Sequence, residues 1–140
     1  MPHVTLDLHE YGTLSRSWSD SGFIRIADAQ LGMLTNVNTS PEIRNLQHNG
    51  IFPYIAGYMH GQGYFYNEYI VGSPSDRVRH STTEINDGRQ SFGVLGAVSF
   101  IQEGIKWRTR EDRLERRVQS HLTAVRAQIR KSTRLNSSHT

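Results

Sequence analysis

Residues 114–129 read LERRVQSHLTAVRAQI and carry the clearest helix signal in the chain. Large apolar side chains recur there at spacings of 4, 4, 3 and 4 residues, which is the period of a single helix face. These side chains are Leu114, Val118, Leu122, Val125 and Ile129. Thr109 is a candidate N-cap, and Glu111 and Asp112 suit the first turn. We predict one long amphipathic helix whose apolar stripe is either core or a dimer seam.

The residues before this helix mostly predict strands. Residues 3–8 alternate apolar and polar side chains, as in a half-buried strand. Further strands are predicted over residues 13–18, 23–27 and 91–101. The exception is a Ser-Pro-Glu helix-start pattern at 40–42, which predicts a short helix over 41–48.

The best-defined strand pair spans 51–59 and 64–71, two runs rich in aromatic and β-branched residues. The loop between them reads His-Gly-Gln-Gly, and its glycines supply the positive φ that a hairpin turn needs. Alternation places an aliphatic set on one face: Ile51, Ile55, Met59, Phe65 and Val71. The opposite face is rich in tyrosine and polar residues: Tyr54, Tyr58, Tyr64, Tyr66 and Glu68.

These elements predict an α+β domain: an antiparallel β-sheet built of hairpins, with the C-terminal amphipathic helix packed on one face. A chain of 140 residues suits one domain, which we place at residues 1–130. The absence of cysteine excludes a disulfide-stapled module, a Cys-ligated zinc domain and a cysteine enzyme. The longest nearly apolar run, 92–101, is about half of a membrane span, so no membrane partner is expected.

Basic residues concentrate near the C-terminal end. Residues 1–105 hold 6 arginines and 10 acidic residues, whereas residues 106–130 hold 8 basic and 3 acidic residues. Arginine outnumbers lysine 14 to 2, and its planar fork suits phosphates. The basic face of the predicted helix is either a solvated surface or a phosphate contact. Its members are Arg110, Arg113, Arg116, Arg117 and Arg126.

The tyrosine-rich face is a candidate RNA-binding site. Tyrosine rings stack on bases regardless of sequence, although tyrosine is also simply a good strand residue. Neighbouring cationic side chains would hold phosphates, or would only protect a solvated sheet edge. The candidate RNA-binding residues are Tyr54, Tyr58, Tyr64, Tyr66, Arg77, Arg79 and His80.

No catalytic or cofactor motif is recognisable. The histidines lack metal-ligand spacing, and neither a nucleophile elbow nor a phosphate-binding glycine loop occurs. We therefore expect no metal, no cofactor and no enzymatic activity. Residues 131–139 read KSTRLNSSH, which is similar to a translated sequencing adapter. This resemblance implies that residues 131–140 are a non-native disordered tail and that the natural chain stops near Arg130.

In the order and size of its predicted elements, the chain resembles the coat proteins of single-stranded RNA phages. That resemblance covers residues 3–130. It implies a self-assembling capsid protein without catalysis, found in the virion and the host cytoplasm. Such coats are homodimers whose helices pack over one sheet face while the other face binds RNA. The implied partners are therefore a second copy of the chain and RNA.

A second, local resemblance supplies the alternative function. Residues 50–52 read GIF and residues 69–72 read YIVG, a pattern similar to the GIY-YIG nuclease signature. Arg77, Arg79, His80 and Glu115 would complete it. In that family the tyrosines and an arginine assist phosphodiester cleavage, and a helix glutamate binds a divalent metal. This resemblance implies metal-assisted hydrolysis.

Overall fold

A computed structural model describes residues 3–13, 16–106 and 113–137, with side chains through Lys131. The strands are β1 (Val4–Gly12), β2 (Ala29–Gly32), β3 (Tyr66–Glu68) and β4 (Val98–Lys106). The α-helices are α1 (Arg16–Ser19), α2 (Pro41–Asn45), α3 (Phe52–Gly61), α4 (Gly88–Val94) and α5 (Leu114–Ser137). A π-helical segment (Leu46–Ile51) joins α2 to α3.

The four strands form one mixed sheet in the order β1-β4-β2-β3. β1 runs parallel to β4 from Val4↔Val98 to Gly12↔Lys106. β2 is antiparallel to β4 and parallel to β3. The predicted α+β class and the C-terminal helix are confirmed, whereas the sheet is mixed rather than built of antiparallel hairpins.

The hairpin predicted over 51–71 is wrong. Residues 52–61 form α3, and Pro53 lies in its first turn. Its buried side chains, Ile55 and Met59, are four residues apart. Only the short strand β3 remains from the second half of the predicted hairpin.

Three further strand predictions change. Residues 16–19 form α1 where the end of the returning strand 13–18 was predicted, residues 14 and 15 lie outside the described residues, and residues 23–27 form no strand. The predicted strand 91–101 divides into α4 and the start of β4, because Asp87 caps a helix there: its Oδ1 accepts from Arg89 N at 3.0 Å. The strand at the N-terminus and the helix after Ser40 are confirmed. The predicted cap at residues 109–112 lies outside the described residues.

The core lies between the sheet and the helices α3 and α5. β1 residues 6 and 10, and β4 residues 100, 102 and 104, point to this helical side of the sheet. The fully enclosed apolar set is Ala29, Leu31, Met33, Ile51, Ile55, Met59, Tyr66, Phe100, Ala124 and Ala127. The sheet is therefore covered by α3 as well as by α5, although the sequence predicted only the C-terminal helix on this face.

α5 buries a different face from the one predicted. Ala124 and Ala127 are fully buried, and Arg117, Ser120 and Gln128 are nearly so. Leu114, Val118, Leu122 and Ile129 remain 41–61% exposed. Val125 is half-buried, so for the other four stripe residues the prediction of a core position is wrong. α5 meets the sheet through Ala124, Ala127, Ser120 and the longer polar side chains of Arg117 and Gln128. Its approach is so close that a Cβ added to Gly104 would collide with the ring of His121.

Two buried glutamines hold the segment that follows β2. Gln47 accepts from Leu34 N (2.9 Å) and donates to Ser99 O (2.8 Å). Gln90 accepts from Asn36 N (2.9 Å) and from Thr35 N (3.1 Å). Since this segment lacks strand partners, side chains from the π-helical segment and from α4 supply its hydrogen bonds.

α5 continues past residue 131 to Ser137, so it does not end where the predicted disordered tail begins. Within the described ranges, no helix has the length and apolar character needed to cross a membrane.

Candidate nucleic-acid interface

Tyrosines of α3 and cations of α5 meet along one surface. Arg116 Cζ lies 4.9 Å from the centroid of the Tyr64 ring, and Arg130 Cζ lies 5.8 Å from that of Tyr58. Lys131 Nζ lies 5.3 Å from the Tyr54 ring. We call this set the tyrosine–cation surface: Tyr54, Tyr58, Tyr64, Arg116, Arg130 and Lys131. Three of the four predicted tyrosines are thus brought together.

One end of the surface is fixed by an ion pair. Arg116 donates through Nε to Asp28 Oδ1 (2.7 Å) and through Nη2 to Asp28 Oδ2 (2.8 Å), a bidentate geometry. The same Nη2 donates to Gly63 O (2.9 Å), and Asp28 also accepts from Phe65 N (2.9 Å). The hydrogen bond to Asp28 raises the pKa of Arg116. Arg116 is therefore charged but already neutralised, and its role here is to fix the loop that carries Tyr64.

The other end carries the available positive charge. Arg130 is exposed and touches Tyr58 only weakly, with Nη1 at 3.4 Å from the phenol oxygen. Lys131 is half-buried beside Tyr54. Neither cation has an acidic partner among the described residues. A phosphate could therefore approach these two charges without displacing a carboxylate.

Tyr66 is not part of this surface, and its prediction as an RNA-binding residue is wrong. Its side chain is 2% exposed and its hydroxyl donates to Gln102 Oε1 at 3.3 Å. Burial raises the pKa of this phenol. A ring enclosed in the core has no free face on which a base can stack.

The predicted phosphate contacts lie in a different place. Arg77, Arg79 and His80 are exposed on the loop after β3, where Arg79 pairs with Val71 through a backbone bridge. His80 Nδ1 lies 3.4 Å from Glu68. Within the described residues, no hydrogen bond, ion pair or ring contact joins this loop to the tyrosine–cation surface. A hairpin over 51–71 would have placed the tyrosines and this loop on one face. Because residues 52–61 form a helix, the tyrosines and the loop lie apart.

The residues of the nuclease-like pattern are also separated. Phe52 stacks on Tyr66 on the helical side of the sheet, with centroids 6.3 Å apart. Tyr69 lies on the opposite side, where the guanidinium of Arg89 covers its ring at 5.5 Å. Glu115 is exposed in the first turn of α5. A single hydrolytic site built from these residues has no geometric support.

That opposite side of the sheet holds a second polar cluster, which the sequence did not indicate. The Arg25 guanidinium lies 4.0 Å over the Tyr11 ring beside a cavity of about 270 Å³ that Trp18 and Gln30 also line. Gln30 donates to Glu103 at 3.0 Å. Burial raises the pKa of Tyr11 and of Tyr69, and it lowers that of Arg89. Through the contact of Arg25 with Tyr11 and that of Arg89 with Tyr69, this cluster joins loop 20–28 and α4 to the sheet.

Metal chemistry finds no support in the part of the chain that the structure describes, where no three His, Asp or Glu side chains are grouped to hold an ion. Comparisons with protein-family models, with curated proteins and with solved structures find no match to this chain.

The sequence indicated the tyrosines and Arg116, but Arg130 and Lys131 were missed as site residues, and the sequence did not predict which cation meets which ring. Arg116 and Arg130 are fourteen residues apart, which is close to four helical turns, so they share one flank of α5. Tyr54 and Tyr58 are one turn apart on α3. If residues 52–61 are taken as a helix, the sequence shows a row of tyrosines on α3 and a row of arginines on α5. It does not show that the two rows face each other.

Proposed function

We propose that this protein is a self-assembling structural protein that binds single-stranded RNA through the tyrosine–cation surface. The observation that carries the proposal is the row of α5 cations set against half-buried tyrosine rings of α3 and its following loop. Single-stranded nucleic acids are held by such a combination, in which rings stack on bases and cations track the backbone.

The chemistry favours a contact that is tolerant of sequence. Stacking on a tyrosine contributes about 1–3 kcal/mol per base and discriminates little between bases. Arg130, which has no acidic partner among the described residues, adds an electrostatic attraction that weakens with salt. Lys131 adds its charge in this chain, but it is the first of the adapter-like residues, so the proposal rests on Arg130. No base-reading amide or carboxylate side chain belongs to the surface. This pattern suits a protein that packages RNA more than one that reads a sequence.

The coat role and the virion location remain predictions that rest on the resemblance to phage coats. The proposed site differs from that resemblance, because RNA would lie on the helices rather than on a bare sheet face. The helical side of the sheet is covered by α3 and α5, and the other side is partly covered by α4. The proposed role involves no catalytic step.

Fluorescence anisotropy with a labelled oligouridine tests the proposal. Arg130→Gln should lower the magnitude of the slope of log K against log salt by about 0.7, the value for one phosphate contact with a single strand. Tyr58→Leu should weaken binding by about 1–3 kcal/mol at fixed salt, since it removes one stacking ring but keeps an apolar side chain. Circular dichroism establishes that both variants fold.

Arg79→Gln is the matched control. It removes an exposed arginine of the same charge from the loop after β3, so binding to oligouridine should stay within experimental error. The proposal fails if wild-type protein does not bind at low salt. It also fails if Arg79→Gln weakens binding as much as Arg130→Gln does, because the contact would then follow overall charge.

A further inference from the structure

The outer edge of the sheet is long and open. β1 has 9 residues and pairs with β4 along its whole length, and no other described strand pairs with it. Its opposite edge therefore presents a row of backbone N–H and C=O groups. Proteins usually protect such an edge with proline, lysine, a bulge or a very short strand. β1 reads VTLDLHEYG and has none of these.

The acidic residues of β1 do not protect it either, because each has a cationic or polar partner. The Asp7 carboxylate lies 3.1 Å from His9 Nε2. Glu10 accepts from Arg117 Nε at 2.8 Å, on the helical side of the sheet. Neither side chain is left to repel an approaching strand.

An apolar surface adjoins this edge on the helical side. Leu8 is 51% exposed, and it lies next to Gln102 in the β1–β4 register. Gln102 Nε2 donates to His121 Nδ1 at 3.1 Å, so α5 passes directly above. Val118 and Leu122, on the flank of α5 that faces away from α3, are 46% and 41% exposed. Leu8, Val118 and Leu122 are therefore all exposed on the helical side of the sheet.

We propose that a second copy of this chain covers this surface. β1 would pair antiparallel with β1 of the second copy across a two-fold axis, extending the sheet to twice its width. An axis perpendicular to the sheet keeps both helical sides on the same side, so the two α5 stripes face each other. This inference deepens the self-assembly part of the proposed function and does not depend on RNA binding.

Side-chain pairing favours one register. A two-fold axis places one β1 residue opposite itself, and centring on Leu8 sets Asp7 of each copy opposite His9 of the other. The imidazole N–H of His9 can then donate to the Asp7 carboxylate across the pair, and complementary side chains directly opposite stabilise an antiparallel ladder. Centring on Asp7 would oppose two carboxylates, and centring on His9 would oppose two imidazoles. Leu8 at the centre also puts both leucines beneath the helices.

Two helices above the two β4 strands would be separated by three strand spacings, about 14 Å. This distance exceeds the about 8–10 Å of directly packed helices, so exposed side chains of the stripe, and not helix backbones, would fill the space between them. The ion pair between Arg117 and Glu10 joins the first turns of α5 to β1.

The full-length chain, freed of nucleic acid by nuclease and high salt, provides the test. Light scattering after size exclusion should give about twice 16.0 kDa. Leu122→Glu should raise the dimer dissociation constant by about 100-fold, since it buries an unpaired carboxylate in the seam. Gln119→Glu is the matched control: it adds the same charge at an exposed α5 position off the stripe and should leave the mass unchanged.

The absence of native cysteine allows a direct check of the register. The Leu8→Cys variant should form a disulfide-linked dimer on oxidation, because residues directly opposite in an antiparallel pair have Cβ atoms about 4.5–5.5 Å apart. Val37→Cys, at a 75% exposed loop position, should not. A monomeric wild type overturns the proposal, and so does a dimer that tolerates Leu122→Glu and does not cross-link through position 8. If the monomeric Leu122→Glu variant still binds oligouridine, RNA binding does not require the dimer, and the two proposals are tested separately.

Discussion

Replacing Gln47 with leucine should remove a large part of the stability of this fold. Gln47 is fully buried, and its amide joins two parts of the backbone that are far apart in sequence. It accepts from Leu34 N at 2.9 Å and donates to Ser99 O at 2.8 Å. Leucine has a similar volume but can make neither bond, so Gln47→Leu isolates the effect of the hydrogen bonds from the effect of a cavity.

The size of the loss follows from those two bonds. Each buried backbone group left without a partner costs about 1–3 kcal/mol. The added apolar surface of leucine returns about 1 kcal/mol. We therefore expect a net loss of about 1–5 kcal/mol, with a central value of about 3 kcal/mol, which is a large share of the about 5–15 kcal/mol that holds an ordinary domain together.

Urea unfolding measures this loss. The midpoint should fall by about 1–2 M with an unchanged slope, because the surface exposed on unfolding stays the same. Gln119→Leu provides the control: Gln119 is exposed on α5, and the same exchange there should change stability by less than about 0.5 kcal/mol. A loss below about 1 kcal/mol for Gln47→Leu would refute the reasoning, since either group would then have found another partner.

Two further predictions concern packing and pH. Gly93→Ala should destabilise the protein by about 1–2 kcal/mol in thermal unfolding, because the new methyl group collides with the buried side chain of Leu34. Gly57→Ala is the control: the methyl group there meets open space on α3, and alanine is the better helix former, so stability should rise by up to about 1 kcal/mol. Burial raises the pKa of Tyr11 and of Tyr66 above the ordinary value, so the unfolded chain loses these protons first as the pH rises. Stability should thus fall as the pH rises above about 10, by about 1.4 kcal/mol per pH unit for each buried phenol that stays protonated in the folded protein, and Tyr69 adds to this slope in the same way. Tyr66→Phe should remove one such contribution in urea titrations, and a flat alkaline profile would contradict these assignments.

The sequence predicted the fold class and the helix at the C-terminus but not the helix at 52–61. The reason is that a spacing of four residues suits one face of a strand and also one face of a helix. Ile51, Ile55 and Met59 are four residues apart, which places them on one face of a strand and also on one face of a helix. A strand with that face buried would also need apolar residues between them. Pro53 and Gly57 stand there instead, and both are exposed. The absence of an apolar side chain at these two positions therefore favours a helix over a strand with that face buried.

The stripe on α5 was misassigned for a different reason. Sequence periodicity identifies an apolar face, but it does not say whether that face meets the core or another chain. The face of α5 that meets the sheet is made of alanine, serine, glutamine and arginine, and the ring of His121 fits against Gly104, where any Cβ would collide with it. An apolar stripe in the sequence therefore does not mark the face of α5 that meets the sheet. The tyrosine–cation surface was partly foreseen in its residue types, but which cation meets which ring depends on how α3 lies against α5.

α5 therefore has three sides with separate tasks. Its small residues meet the sheet, Arg116 and Arg130 face the tyrosines of α3, and Val118 and Leu122 point away from α3 over β1. A helix that only closed the core would not need a second apolar flank, and exposing one costs solubility. Because the cationic flank and the apolar flank lie on opposite sides of the buried face, a second copy on β1 would leave the tyrosine–cation surface of each copy open. Both surfaces would then face the helical side of one extended sheet, so one dimer would offer an RNA strand two contact rows.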